Sequence, residues 1–268
     1  MYQKPANFMR FNNVMHICAS VLLLASSTSA ASAGGIIASL PPLAGLTQLL
    51  AEAPQTTCLL PANADPHHFQ IRPRQSEALH QADVLLRASA DDGGWSGLQF
   101  HGQTVDLWKN ENHAWLNPAN VAHALPRLAE AIHQPVDHHS EAEIQRMDAA
   151  LMQALAPLKE HGVIMQHPAW EHVMEHYGIP VRAVLESEHH GHEHGPHMLE
   201  HALEILDQHP DSVLIASKGH SNRSLEWLQQ HATTKPRIIT LDPLGQCGMS
   251  WSELMQANID QLTQIRHP

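Results

Sequence analysis

Three histidines and one aspartate stand at equivalent places in the chain, each just beyond a short apolar run. His167 follows Val163-Ile164-Met165-Gln166 and precedes Pro168. His67 comes after a strand ending at Leu60, His113 after one ending at Trp108, and Asp242 directly after Ile238-Ile239-Thr240-Leu241. In open parallel α/β sheets, ligands gather at the carboxyl ends of strands. Three imidazoles and a carboxylate delivered there make a four-coordinate zinc site. Taken singly, each histidine reads as a loop residue bonded to backbone, and Asp242 as the cap of a turn. Taken together at strand ends, they read as a metal centre. A tetrahedral ion with four protein ligands keeps no vacant position with which to activate water. The expected chemistry is therefore carriage of Zn²⁺ and not catalysis.

Composition points the same way. The chain has 268 residues, 43% of them hydrophobic, enough for a full core and more naturally for two lobes than one domain. Its 24 histidines are several-fold more than ordinary usage, so core packing alone does not account for them. The formal charge is −12, which disfavours nucleic acid as a partner and suits cation capture.

The elements that must position these residues follow from periodicity. Residues 1–33 have a sparse positive start (Lys4, Arg10), an apolar run from Val14 to Ala25 and a small-residue end at Ala31-Ser32-Ala33. This pattern predicts a secretory signal peptide and a periplasmic protein. Strands are predicted at residues 36–40, 56–60, 84–86 and 104–108, and again at 163–166, 179–185, 212–216 and 237–241, with helices between them. The fold class is α/β: two lobes, residues 34–138 and 161–268, each a roughly four-stranded parallel sheet flanked by helices. Between them, residues 139–160 read as a long connecting helix, opened by a capping box at Ser140-Glu141-Ala142-Glu143 and carrying Ile144, Met147, Leu151 and Leu155 at helical spacing. Pro126 is expected to kink the preceding helix. Cys58 and Cys247 remain once the leader is removed. An oxidising compartment would permit their pairing, but the sequence cannot establish their separation and the balance is set against a bridge.

One low-complexity stretch, residues 186–197, interleaves His189, His190, His192, His194 and His197 with Glu186, Glu188 and Glu193. It reads as a polar, solvated loop with an accessory metal role, weaker than a preorganised site because closing it on an ion costs entropy. His220, with His201, His209 and His231, reads as a surface residue, while Trp115, Trp170 and Trp227 read as packing.

Four motifs then carry a resemblance: Asp65-Pro66-His67-His68-Phe69, His113-Ala114-Trp115-Leu116-Asn117-Pro118, His167-Pro168-Ala169-Trp170 and Leu241-Asp242-Pro243-Leu244. They resemble, in order, the metal-ligand motifs of the periplasmic zinc receptors (ZnuA-type) that feed ABC importers. The resemblance implies two α/β lobes joined by a rigid helix, an ion in the cleft between them, and His67 rather than His68 as first ligand. It also implies an inner-membrane permease as partner to a monomeric receptor. The chain departs from the family pattern in two places. Its histidine-rich loop lies between the third and fourth motifs, and Ser217-Lys218-Gly219-His220-Ser221-Asn222-Arg223 replaces an acidic, aromatic stretch. Two other functions compete: a free-standing zinc buffer or metallochaperone, and a metallohydrolase. The second is disfavoured because no nucleophile elbow, phosphate loop or paired-carboxylate motif appears.

Overall fold

Short runs of continuous apolar residues, rather than alternating ones, make strands that are covered on both faces, and such strands pair in parallel. A computed structural model describes residues 1–3, 35–62, 64–90, 98–109, 111–186 and 196–266. The signal-peptide expectation and four of the loop histidines, His189, His190, His192 and His194, fall outside the described residues. Residues 34–268 form a compact unit containing two parallel sheets. In the first, β1 (Gly35–Ala38), β2 (Thr56–Cys58), β3 (Ala82–Arg87) and β4 (Gln103–Asp106) run in the order β2-β1-β3-β4. In the second, β5 (Val163–Met165), β6 (Val181–Val184), β7 (Val213–Ser217) and β8 (Ile238–Leu241) repeat it as β6-β5-β7-β8. The central β5 and β7 are buried throughout. In each sheet the order reverses beside the first strand, which opens a crevice at the strand ends.

The helices are α1 (Pro41–Thr47), α2 (Pro73–Gln81), α3 (Pro118–Ala131), α4 (His138–Leu155), α5 (Leu158–His161), α6 (Glu171–His176), α7 (Pro196–Gln208), α8 (Arg223–His231) and α9 (Trp251–Thr263). Asn117 caps α3, its side chain accepting from the Ala119 amide at 3.0 Å, and the helix continues through Pro126. The capping box at Ser250 and Glu253 opens α9 as the sequence indicates. The start of α4 differs from expectation. Its cap is Asp137, which accepts from the Ser140 amide at 2.8 Å, so helix begins at His138 and Ser140 lies inside it. Ser140 is fully buried and its hydroxyl donates instead to the Leu49 carbonyl at 2.7 Å, tying α4 to the end of α1. A charged carboxylate at the helix N-terminus also meets the helix dipole, which a hydroxyl does not. The expected helix over 139–160 is likewise two pieces, α4 and α5, with Pro157 between them. A proline there supplies no amide to continue the ladder.

Helix α9 follows the second sheet but packs against α1 and α4. Gly45 of α1 allows this, because a Cβ there would sit 2.7 Å from the Met249 carbonyl and 2.8 Å from the Trp251 amide. Trp251, fully buried, donates to the Trp115 carbonyl at 2.7 Å, and Trp115 donates to the Pro243 carbonyl at 2.7 Å. One hydrophobic core therefore runs from Ile36 through Leu151 to Leu262. A smaller cluster, including Leu206, Leu214 and Leu228, sits where α7 and α8 cover the second sheet.

The cysteines are corrected by the structure: Cys58 and Cys247 are bonded, with Cα atoms 6.0 Å apart. A sequence separation of 189 residues hides this, because proximity comes from the docking of the β8–α9 loop on β2. Closing so long a loop removes much unfolded-state entropy. Replacing both cysteines by serine should lower stability by about 3–5 kcal/mol. Denaturant titration under oxidising conditions measures this, and an unchanged midpoint would mean that the bridge does not form in the protein.

Candidate metal centre

Asp65 turns the chain after β2. Its carboxylate accepts the His67 amide at 2.8 Å, closing a local turn that sets the direction of the histidine. The His67 ring lies 5.7 Å from that of His167, edge to face, while the neighbouring His68 is 70% exposed and sits 3.9 Å from Asp65. His113 follows β4 and adopts a left-handed backbone, φ 52° and ψ 28°, just before the turn Ala114–Leu116. Such a conformation costs a non-glycine residue about 1–2 kcal/mol and is held by its surroundings. Trp115, pinned by its two hydrogen bonds, supplies that support, and the His113 ring tilts against it at 5.3 Å. From there His113 reaches His167, with centroids 5.4 Å apart and planes at 82°.

His167 is the focus. It lies two residues past β5, is only 4% exposed, and its Nε2 has no hydrogen-bond partner among the described residues. Two further residues close around it that the sequence reading misses. Glu186, placed by that reading at the start of the histidine-rich loop, follows β6 and is 7% exposed. His220, read as a surface residue, follows β7 and stacks on His167 at 4.1 Å. Glu186 Oε2 lies 3.0 Å from His220 Nδ1 and 3.7 Å from His167 Nδ1, while Oε1 accepts from the Gln166 amide nitrogen at 2.7 Å. Among the described residues, His167, Glu186 and His220 form a group whose potential ligand atoms all lie within 4.8 Å of one another. The strand-end signal that selects His67, His113 and His167 applies equally to these two.

Asp242 stands differently. Its Oδ1 accepts the backbone amides of Leu244 and Gly245 at 3.0 and 2.8 Å, and its Oδ2 accepts from Lys218 Nζ at 2.6 Å. With His220 and Lys218 it lines a cavity of about 170 Å³ that also meets Asp65 and Pro66. Of the loop histidines, His197 is described. It sits on α7 with its Nδ1 3.5 Å from Glu200 and is fully exposed.

Burial pushes the His167 imidazole below its ordinary pKa. Glu186 pulls it upward, and His220 and His113 push it down again. For Glu186, burial by itself raises the carboxyl, but His167, His220 and Gln166 outweigh it and hold the group at about 2. His167 is thus held toward its neutral form beside an ionised carboxylate, the donor state that a divalent cation requires.

The family model described as "Zinc-uptake complex component A periplasmic" matches residues 36–265. The high-affinity zinc uptake system protein ZnuA of Paracoccus denitrificans (strain Pd 1222) is 22% identical over 227 residues, covering 61% of this chain and 70% of that protein. Among solved structures, the periplasmic zinc-binding protein TroA from Treponema pallidum superposes with a TM-score of 0.72 at 14% identity, covering 87% of this chain and 98% of the other. A manganese-bound mutant of a periplasmic metal-binding protein from Candidatus Liberibacter asiaticus gives 0.67 at 13% identity, over 86% and 98% of the two chains.

The electrostatics set a pH dependence for the metal-free protein. A folded-state histidine pKa below 6.5 means the unfolded chain takes up the proton first, so stability falls as pH drops below 6.5. Glu186, held at about 2 against an ordinary 4.5, adds stability above 4.5 that is lost between 4.5 and about 2. Both effects destabilise toward acid. Thermal midpoints of chelator-treated wild type and His167→Gln, compared between about pH 7.5 and about pH 5 to span the ordinary histidine range, should converge as the pH falls. Parallel curves would mean that His167 is not buried as described.

Proposed function

The chain belongs to the zinc-uptake complex component A family of periplasmic metal-binding receptors, and on that premise we propose that it captures Zn²⁺ outside the cytoplasm and delivers it to an ABC-type importer in the inner membrane. The observation that carries the reading is the convergence of His67 and His113, from loops of the first sheet, on the buried His167 of the second. Their rings pack edge to face on His167, 5.7 and 5.4 Å away, and three imidazoles carried by separate loops can supply the nitrogen donors of a tetrahedral ion. The Nε2 of His167 is a buried polar atom that a cation would satisfy.

The donor set favours zinc over manganese. Borderline-soft Zn²⁺ accepts several imidazoles, whereas Mn²⁺ prefers oxygen donors. Copper(II) outcompetes zinc at most nitrogen sites by intrinsic affinity, so selection against it falls to availability and to what the importer accepts. The histidine-rich segment enlarges the local supply of metal without contributing to the tight site.

Competition titration of the chelator-stripped protein tests this, with one tightly held zinc and far weaker manganese expected. His167→Glu should cost about 10–100-fold in zinc affinity and narrow the preference over manganese. Unchanged zinc affinity in that variant would remove His167 from the centre and the reading with it. Deleting residues 187–195, which spares Glu186, should leave the tight site and lower total zinc capacity. Loss of the tight site would make the segment a primary ligand.

A further inference from the structure

Two helices that follow strands of the second sheet carry the same five-residue pattern, outside the centre described above. Helix α6 contains His172-Val173-Met174-Glu175-His176, and α7 contains His197-Met198-Leu199-Glu200-His201. The apolar pair inside each pattern faces the protein: Val173 and Met174 are buried, Met198 and Leu199 half-buried. The two imidazoles and the carboxylate are exposed, and residues three and four apart share one helix face. His172 Nδ1 lies 3.5 Å from Glu175 Oε2, and His197 Nδ1 lies 3.5 Å from Glu200 Oε2. His176 and His201 stand about one turn further along the same faces. Helix stability does not explain this order. Exposed ion pairs contribute little, and the macrodipole favours the acid toward the N-terminus and the base toward the C-terminus, whereas here the histidine comes first and sits in the first turn. Two histidines four apart on one helix face are, by contrast, an arrangement that holds a single zinc ion, and a carboxylate beside them is a third donor.

We propose that His172, Glu175 and His176 on α6, and separately His197, Glu200 and His201 on α7, form two surface sites for a divalent transition-metal cation, each giving two nitrogens and one oxygen and leaving the remaining positions to water. The sites go beyond the receptor reading and do not depend on it. Both lie toward one end of the molecule. Helix α6 follows β5 and α7 follows β6, which are neighbouring parallel strands, so both helices begin at the carboxyl end of the sheet, where His167 also stands. An ion at either site must order exposed side chains, so it is held more weakly and exchanges faster than at a centre built on a buried imidazole. Helix α4 supplies a contrast within the same chain. His138 Nδ1 lies 3.7 Å from Glu141 Oε2 in the same order, but Ala142 stands where the second histidine would be. That pair offers one nitrogen and one oxygen, and on this reasoning it holds no ion.

The test uses the full chain, stripped with chelator and then equilibrated by dialysis against rising concentrations of Zn²⁺. The variants are His172→Ala alone, His172→Ala with His176→Ala, His197→Ala with His201→Ala, and a control, His138→Ala with His231→Ala, that removes two exposed histidines outside the pattern. Circular dichroism checks folding. Each paired variant of the pattern should bind about one zinc fewer than wild type at saturation and keep the first, tightly held ion, while the control should bind as many as wild type. His172→Ala alone should lose as much as its paired variant, because one imidazole and one carboxylate do not hold the ion. Unchanged capacity in the two paired variants overturns the proposal. An equal loss in the control overturns it too, since that result is adventitious binding to any exposed histidine. A wild type that holds only weak zinc, reduced by about one ion in each paired variant, overturns the receptor reading and upholds the two surface sites.

Discussion

Two indole hydrogen bonds hold the candidate metal centre in register. Trp251 donates to the carbonyl of Trp115, and Trp115 donates to the carbonyl of Pro243. Trp115 lies two residues beyond His113, and Pro243 is the neighbour of Asp242. The clasp thus fixes the loop after β4 against the loop after β8, and with them the distance between histidines carried by separate sheets. Imidazoles gathered from distant segments make a tight site only when their spacing is set before the ion arrives, because an ion that must also order the loops loses affinity to entropy. The buried indoles, the left-handed backbone of His113 and the covalent link from Cys58 to Cys247 all serve that preorganisation.

Most of the architecture is legible from apolar runs and their punctuation. Gly35–Ala38, Val163–Met165 and Val213–Ser217 are buried strands because nothing in them alternates, and Pro41-Pro42, Asn117-Pro118 and Ser250 mark helix starts by local chemistry. What is not legible depends on partners distant in sequence. Ser140 has the type and spacing of a cap, yet a buried carbonyl, that of Leu49, takes its hydroxyl, and Asp137 takes the capping role. No local rule reports such a competition. The pairing of Cys58 with Cys247 cannot be decided locally for the same reason.

The residues gathered around His167 differ in how plainly the sequence marks them. His67, His113 and His167 stand out because a histidine beyond an apolar strand is conspicuous. Glu186 is hidden by its company: Ser187 and Glu188 merge it into a histidine-rich run, although it stands only two residues past β6. His220 is hidden by Lys218 and Gly219, which give the segment the look of a solvent-facing turn. Asp242, one residue past a strand, carries the stronger pattern. Only Lys218, brought to it by the pairing of β7 with β8, shows how that carboxylate is engaged. The plainer reading of Asp242, as the cap of a turn, describes its Oδ1.

The placement of α9 has a consequence for how the chain is made. The apolar faces of α1 and α4 are covered by α9, which brings Met255, Ile259 and Leu262 into the same core and is synthesised after both sheets. Until they arrive, the first sheet and its helices lack part of their cover, whatever the state of their own hydrogen bonds. The chain must therefore complete both sheets before either is fully sealed, and a growing chain passes through a stage with an exposed apolar seam. Surfaces of that kind are what holdase chaperones engage and what drives association between unfinished chains.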